Sequence, residues 1–106
     1  MGTPHLAVDS SVEGHVARVR LVGELDMDGA NEVNEAFATL ARNGATSVVI
    51  DAAGLTFIDS SGLRALLSGR QALGDVDIAL TIEQASPAVE RVLEITGTAA
   101  LLRPNA

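Results

Sequence analysis

Thr56-Phe57-Ile58-Asp59-Ser60-Ser61-Gly62-Leu63 is the stretch on which the fold turns. An apolar extended piece runs into an Asp-Ser-Ser-Gly tetrad, and Asp and Ser are residues that open helices. Downstream, Leu63, Leu66, Leu67, Arg70 and Leu73 fall on one helical stripe, with Gly74 as its stop. Upstream, Thr46 to Ile50 form a short apolar strand with Asp51 at its C-terminal end, and Ala52 to Ile58 are a connecting loop or a short extended piece leading to the helix. A continuous apolar run of that kind predicts a strand buried on both faces.

Working outward, the same rhythm repeats on both sides. His15 to Leu25 alternate with period two, placing Val16, Arg18, Arg20 and Val22 opposite Ala17, Val19, Leu21 and Gly23. Arg18 and Arg20 read as the solvated face of that strand. His5 to Asp9 form a shorter strand, and Ser10 to Gly14 supply the turn of a hairpin, with His15 a turn residue. Asp26 or Asp28 caps the next helix, whose apolar positions are Ala30, Val33, Phe37, Leu40 and Ala41, and Asn43-Gly44 ends it. After Gly74, Val76 to Ile82 alternate as a strand. Ser86-Pro87 opens a third helix with Val89, Val92 and Leu93 inward, Gly97 ends it, and Ala99 to Leu102 make a last edge strand. Residues 1–4 are expected to be frayed.

The order ββαβαβα(β) predicts an α/β fold with a small mixed sheet. Its core is mostly parallel, its first strand is an antiparallel edge, and about three helices flank it. Ligands and partners of such sheets meet the carboxyl ends of the strands. Asp26, Asp51 and Asp59 are all expected there.

Composition narrows the chemistry. A chain of 106 residues, 47% of them hydrophobic, suits a single domain over 1–106. There are no cysteines, only two histidines (His5 and His15) and, among seven bases, no lysine. That removes disulfides, thiolate metal sites, cysteine catalysis, Schiff-base chemistry and a phosphate loop. No catalytic residue, metal or cofactor is expected. The net charge of −7 and the two aromatic residues, Phe37 and Phe57, argue against nucleic acid. No run is long enough to span a bilayer and no basic leader opens the chain, so the expectation is a cytoplasmic protein without membrane insertion.

The acidity is uneven. Residues 1–59 carry nine acids and three arginines, against five and four in the remainder. Glu24, Asp26, Asp28, Glu32 and Glu35 hold no base among them. They form either a solvated helix start, where acids meet the positive end of the dipole, or a docking surface for a basic partner. The tetrad is similarly double. Asp59 and the serines can simply cap a helix, or a phosphate attached there would meet free amides and add charge beside existing acids.

Gly23-Glu24-Leu25-Asp26 after a strand, Phe57 to Leu63 before a helix, and Ser86-Pro87-Ala88-Val89 together resemble the STAS family, and within it the bacterial anti-sigma factor antagonists. The resemblance spans nearly the whole chain. It implies a protein-binding regulator that binds an anti-sigma factor serine kinase, releases a sigma factor, and is switched off when that kinase phosphorylates it; a phosphatase resets it. It implies Ser60 as the acceptor, with Ser61 second in line. Glu24, Asp26, Asp59, Ser60, Ser61, Gly62 and Leu63 then form the partner surface, Ser61 and Gly62 shaping the helix start and Leu63 at the rim or in the core. It also implies a further helix after the final strand, which Arg103-Pro104-Asn105-Ala106 does not supply. Arg64 and Arg70 read as snorkelling beside the second helix rather than binding phosphate, although Arg64 is one turn from Ser60.

Within the fold, the rival is an accessory subunit or scaffold of a transporter or signalling complex, without phosphorylation. A phosphoaspartate receiver centred on Asp51 lacks its lysine. A serine hydrolase at Ser60 lacks a Gly-x-Ser-x-Gly elbow and a suitable histidine.

Overall fold

The computed structural model describes residues 5–104; the fraying expected of residues 1–4 lies outside them. The elements are β1 (Leu6–Glu13), β2 (Val16–Leu25), α1 (Met27–Arg42), β3 (Ser47–Ile58), α2 (Ser60–Gly74), β4 (Ala79–Ala85), α3 (Pro87–Thr96) and α4 (Ala99–Leu102). The four strands form one sheet in the order β1-β2-β3-β4. β1 runs antiparallel to β2, and the β2–β3 and β3–β4 pairs are parallel. This is the mixed sheet that the strand–helix–strand rhythm predicts.

The helices cover one face. Val19, Leu21 and Leu25 of β2, Val48, Ile50 and Leu55 of β3, and Leu80 and Ile82 of β4 are buried with Val33 and Phe37 of α1, Leu63 and Leu66 of α2, Val89 and Leu93 of α3 and Leu102 of α4. Each large apolar side chain fully withdrawn from water contributes about 1.5–3 kcal/mol. On the other face Val16, Arg18, Arg20 and Val22 are exposed, and Val49 and Asp51 of β3 are only half-buried. β3 is therefore buried on one face, not two. Arg18 pairs across that open face with Glu83 of β4 at 3.0 Å. An exposed pair of this kind adds little stability.

Four further expectations are corrected. The hairpin turn is Gly14-His15, because β1 continues through Ser10–Glu13 and pairs to Glu13↔Val16. Gly14 has φ 65 while His15 stays at negative φ, the pattern of a II′ turn, whose twist matches the flanking strands. Of the two readings of residues 52–58, the extended one holds, but as the second half of a twelve-residue β3 rather than a separate short piece. Asp51 consequently lies in mid-strand beside Arg20 and Gln84. At the usual rise per residue it is on the order of 20 Å from the strand's carboxyl end. β4 starts at Ala79 rather than Val76, since Asp75–Asp77 form a turn in which Asp77 takes φ 64.

The last correction concerns Ala99–Leu102, which is a helical turn and not an edge strand. It buries Leu102 completely, and the Arg103 guanidinium that follows donates to the Glu83 carbonyl at 3.4 Å and to Glu90 at 3.2 Å. The short helix therefore shields part of the β4 edge, which is the protection an edge strand needs. The final strand is thus β4, and α3 and then α4 follow it.

Candidate functional site

β2 and β3 end side by side, with Glu24 opposite Phe57 and Leu25 opposite Ile58. Each then turns directly into a helix through an aspartate. Asp26 caps α1 by accepting from the Gly29 amide at 3.0 Å, and Asp59 caps α2 by accepting from the Gly62 amide at 2.8 Å. The two junctions are tied together, since the Asp59 amide donates to the Leu25 carbonyl at 3.2 Å. Two carboxylates and two positive helix ends are thus set next to one another by backbone geometry rather than by an ion pair.

Gly62 makes this closeness possible. A Cβ there would lie 2.7 Å from Leu25 Cγ and closer still to the Leu25 carbonyl oxygen. Gly29 does the same for α1, where a Cβ would come within 2.9 Å of Leu6 Cδ2. Gly23, at φ 111, carries the strand past His5, whose carbonyl accepts the Glu24 amide at 2.8 Å.

Ser60 is the first residue of α2, exposed, immediately after the cap. Ser61 is half-buried and Gly62 is buried. Of the two serines at this helix start, Ser60 is the more exposed. Glu24 is exposed beside the caps, and Asp26 and Asp59 are half-buried. Six of the seven residues singled out in the sequence do come together around the two strand ends. For Leu63, the seventh, the structure selects the core alternative over the rim: at 7% exposure it anchors α2. Asp51, expected with Asp26 and Asp59, is remote from them.

Two residues at this end escaped the sequence. Phe57 and Met27 are apolar yet 47% and 68% exposed. Met27 stands at the first position of α1, between Asp26 and Asp28. Phe57 is turned outward by a β-bulge: Gly23 pairs with Leu55 but Glu24 pairs with Phe57, leaving Thr56 as an extra residue. The Thr56 hydroxyl donates to the Gly23 carbonyl at 3.2 Å and pins the bulge. Beside Phe57 a shallow groove of about 370 Å³ opens against Pro87, Ala88, Arg91 and Val92 of α3. Acidic groups and exposed apolar side chains in one place suit a protein surface better than a small-molecule site. Among the described residues no group of three His, Asp or Glu side chains could hold a metal ion, and no helix is long and apolar enough to cross a membrane.

Comparison with known proteins gives a consistent picture. The family model described as Mlab, STAS domain matches residues 8–103. An anti-sigma-B factor antagonist from Staphylococcus aureus (strain NCTC 8325 / PS 47) is 26% identical over 101 residues, covering 95% of this chain and 94% of that relative. The crystal structure of an anti-sigma factor antagonist from Mycobacterium paratuberculosis has the same fold, with a TM-score of 0.82 at 23% identity over 97% of this chain and 88% of that one. The anti-sigma factor antagonist SpoIIAA, solved in its unphosphorylated form, gives a TM-score of 0.73 at 26% identity over 87% of this chain and 82% of that one.

Proposed function

This chain belongs to the STAS domain family, and on that premise we propose that it is an anti-sigma factor antagonist switched off by phosphorylation of Ser60. In the unmodified state the surface around Glu24, Asp26, Asp59 and Ser60 docks an anti-sigma factor serine kinase, which lets go of its sigma factor. The kinase supplies the nucleotide, because this chain has no lysine and no phosphate loop. It transfers the γ-phosphoryl group to the Ser60 hydroxyl, and a phosphatase reverses the step. The protein is thus a binding regulator and a kinase substrate rather than an enzyme.

The observation that carries this proposal is the placement of Ser60. It is exposed at the first turn of α2, next to the aspartate caps of two adjoining strand–helix junctions. A phosphate there adds about −1.5 to −2 charges. Two unit charges about 6 Å apart repel by roughly 3 kcal/mol at an effective dielectric of 20. The fold tolerates such a group because Ser60 is exposed, while a partner that has matched its own charge to the acids does not. The names of the relatives, one of them described by its phosphorylation state, support the same role.

The test is incubation with the cognate anti-sigma serine kinase and ATP, followed by intact-mass and peptide spectrometry. One phosphate on Ser60, abolished in Ser60→Ala, is expected. No added mass, or a phosphate that survives Ser60→Ala, overturns the assignment.

A further inference from the structure

We propose that Arg64 is the ligand, within this chain, of the phosphate carried by Ser60. The proposal rests on Ser60 as the acceptor and adds how the modified state is held. Ser60 and Arg64 are the first and fifth residues of α2. A separation of four places both side chains on one helical face, with the anion N-terminal to the cation, the favourable order for such a pair. Both residues are exposed. The arginines whose guanidinium groups make hydrogen bonds among the described residues are Arg18, Arg42 and Arg103. The Arg64 guanidinium has no acceptor among them, and because it is exposed, no packing in the core depends on it.

The charges around the two junctions are mostly acidic; Arg91 lines the groove beside Phe57 and Ile58 but stands on α3, and His5 lies 3.8 Å from Glu24. Asp59 caps α2, Glu24 and Asp26 close β2, and Asp28 sits in the first turn of α1. Every one of these opposes a phosphate on Ser60. Arg64 is the cation on the same helix face, one turn away, and its planar fork matches two phosphate oxygens at once. Its role in the unmodified state is therefore different from snorkelling over the core. It waits unpaired until Ser60 is phosphorylated, then holds the new group along α2. A phosphatase must displace the guanidinium before it can engage the phosphate.

The experiment places phosphoserine at position 60 by genetic encoding, in the native chain and in Arg64→Gln and Arg64→Lys. The second ionisation of the phosphate is followed by phosphorus NMR against pH; its ordinary midpoint is about 6. A nearby cation favours the dianion and lowers the midpoint. The ionisation constant should be roughly twofold larger in the native chain than in Arg64→Gln, with Arg64→Lys recovering part of the difference. Equal midpoints in the native chain and Arg64→Gln overturn the proposal. Because translation, not a kinase, installs the phosphate, that failure is separate from a failure of the kinase assignment.

Discussion

Gly62→Ala should be strongly destabilising, although alanine is the better helix former by about 1 kcal/mol. The new Cβ would lie 2.7 Å from Leu25 Cγ, whereas carbon atoms in contact sit about 3.5–4.0 Å apart. Leu25 is completely buried and its carbonyl accepts the Asp59 amide at 3.2 Å, so the β2 junction has little freedom to retreat. The α2 N-terminus must move instead, by about 1 Å to restore that carbon–carbon contact. That strains the Asp59 amide bond and the cap, whose Oδ1 to Gly62 nitrogen distance is 2.8 Å. Overpacking costs about 1–3 kcal/mol, and a weakened hydrogen bond and a weakened cap cost about 1 kcal/mol each. Set against the propensity gain, the net loss is about 2–4 kcal/mol. For a domain near 100 residues this lowers the melting temperature by roughly 10–20 °C.

Gly74, at the far end of the same helix, provides the internal control. Nothing lies within 4 Å of a Cβ there, so Gly74→Ala should gain up to about 1 kcal/mol. Urea titration followed by circular dichroism measures both variants. A Gly62→Ala loss below about 0.5 kcal/mol, or a change of the same sign at both glycines, refutes the claim that α2 starts in contact with the end of β2.

The remaining predictions concern Asp26. Asp26→Asn keeps a side-chain oxygen for the Gly29 amide, so its unfolding free energy should stay within about 0.5 kcal/mol of the native value, while its affinity for the kinase, read by calorimetry, should fall. Asp26→Ala removes both the cap and the charge, and should lose about 1 kcal/mol of stability as well as affinity.

Much of this site was legible because helix caps are local. Asp26, Asp59 and Ser86 each announce a helix start, and each accepts the amide hydrogen bond that such a residue offers. The hairpin and the parallel order followed from period-two alternation in β2 and the intervening helical stripes. What could not be read depended on pairing between distant segments. Residues 52–58 read equally as a loop or an extended piece because Ala52, Ala53 and Gly54 have weak strand propensity; pairing of Gly54–Ile58 with β2 and of Ala52 with β4 makes the segment a strand. The bulge at Thr56 inverts the face of Phe57, and a bulge is a property of two strands together. Ala99–Leu102 is a short apolar run, and such runs do not distinguish helix from strand by periodicity. The need for glycine at position 62 arises from Leu25, thirty-seven positions earlier in the chain.

The central claim is that a phosphate on Ser60 converts a docking surface into one that releases its partner. Calorimetry with the anti-sigma serine kinase, comparing the unmodified chain with the chain phosphorylated at Ser60, tests it most directly. The dissociation constant should rise at least about tenfold on phosphorylation, equivalent to about 1.4 kcal/mol, with the far-ultraviolet dichroism unchanged. Equal affinity of the two forms would contradict the account.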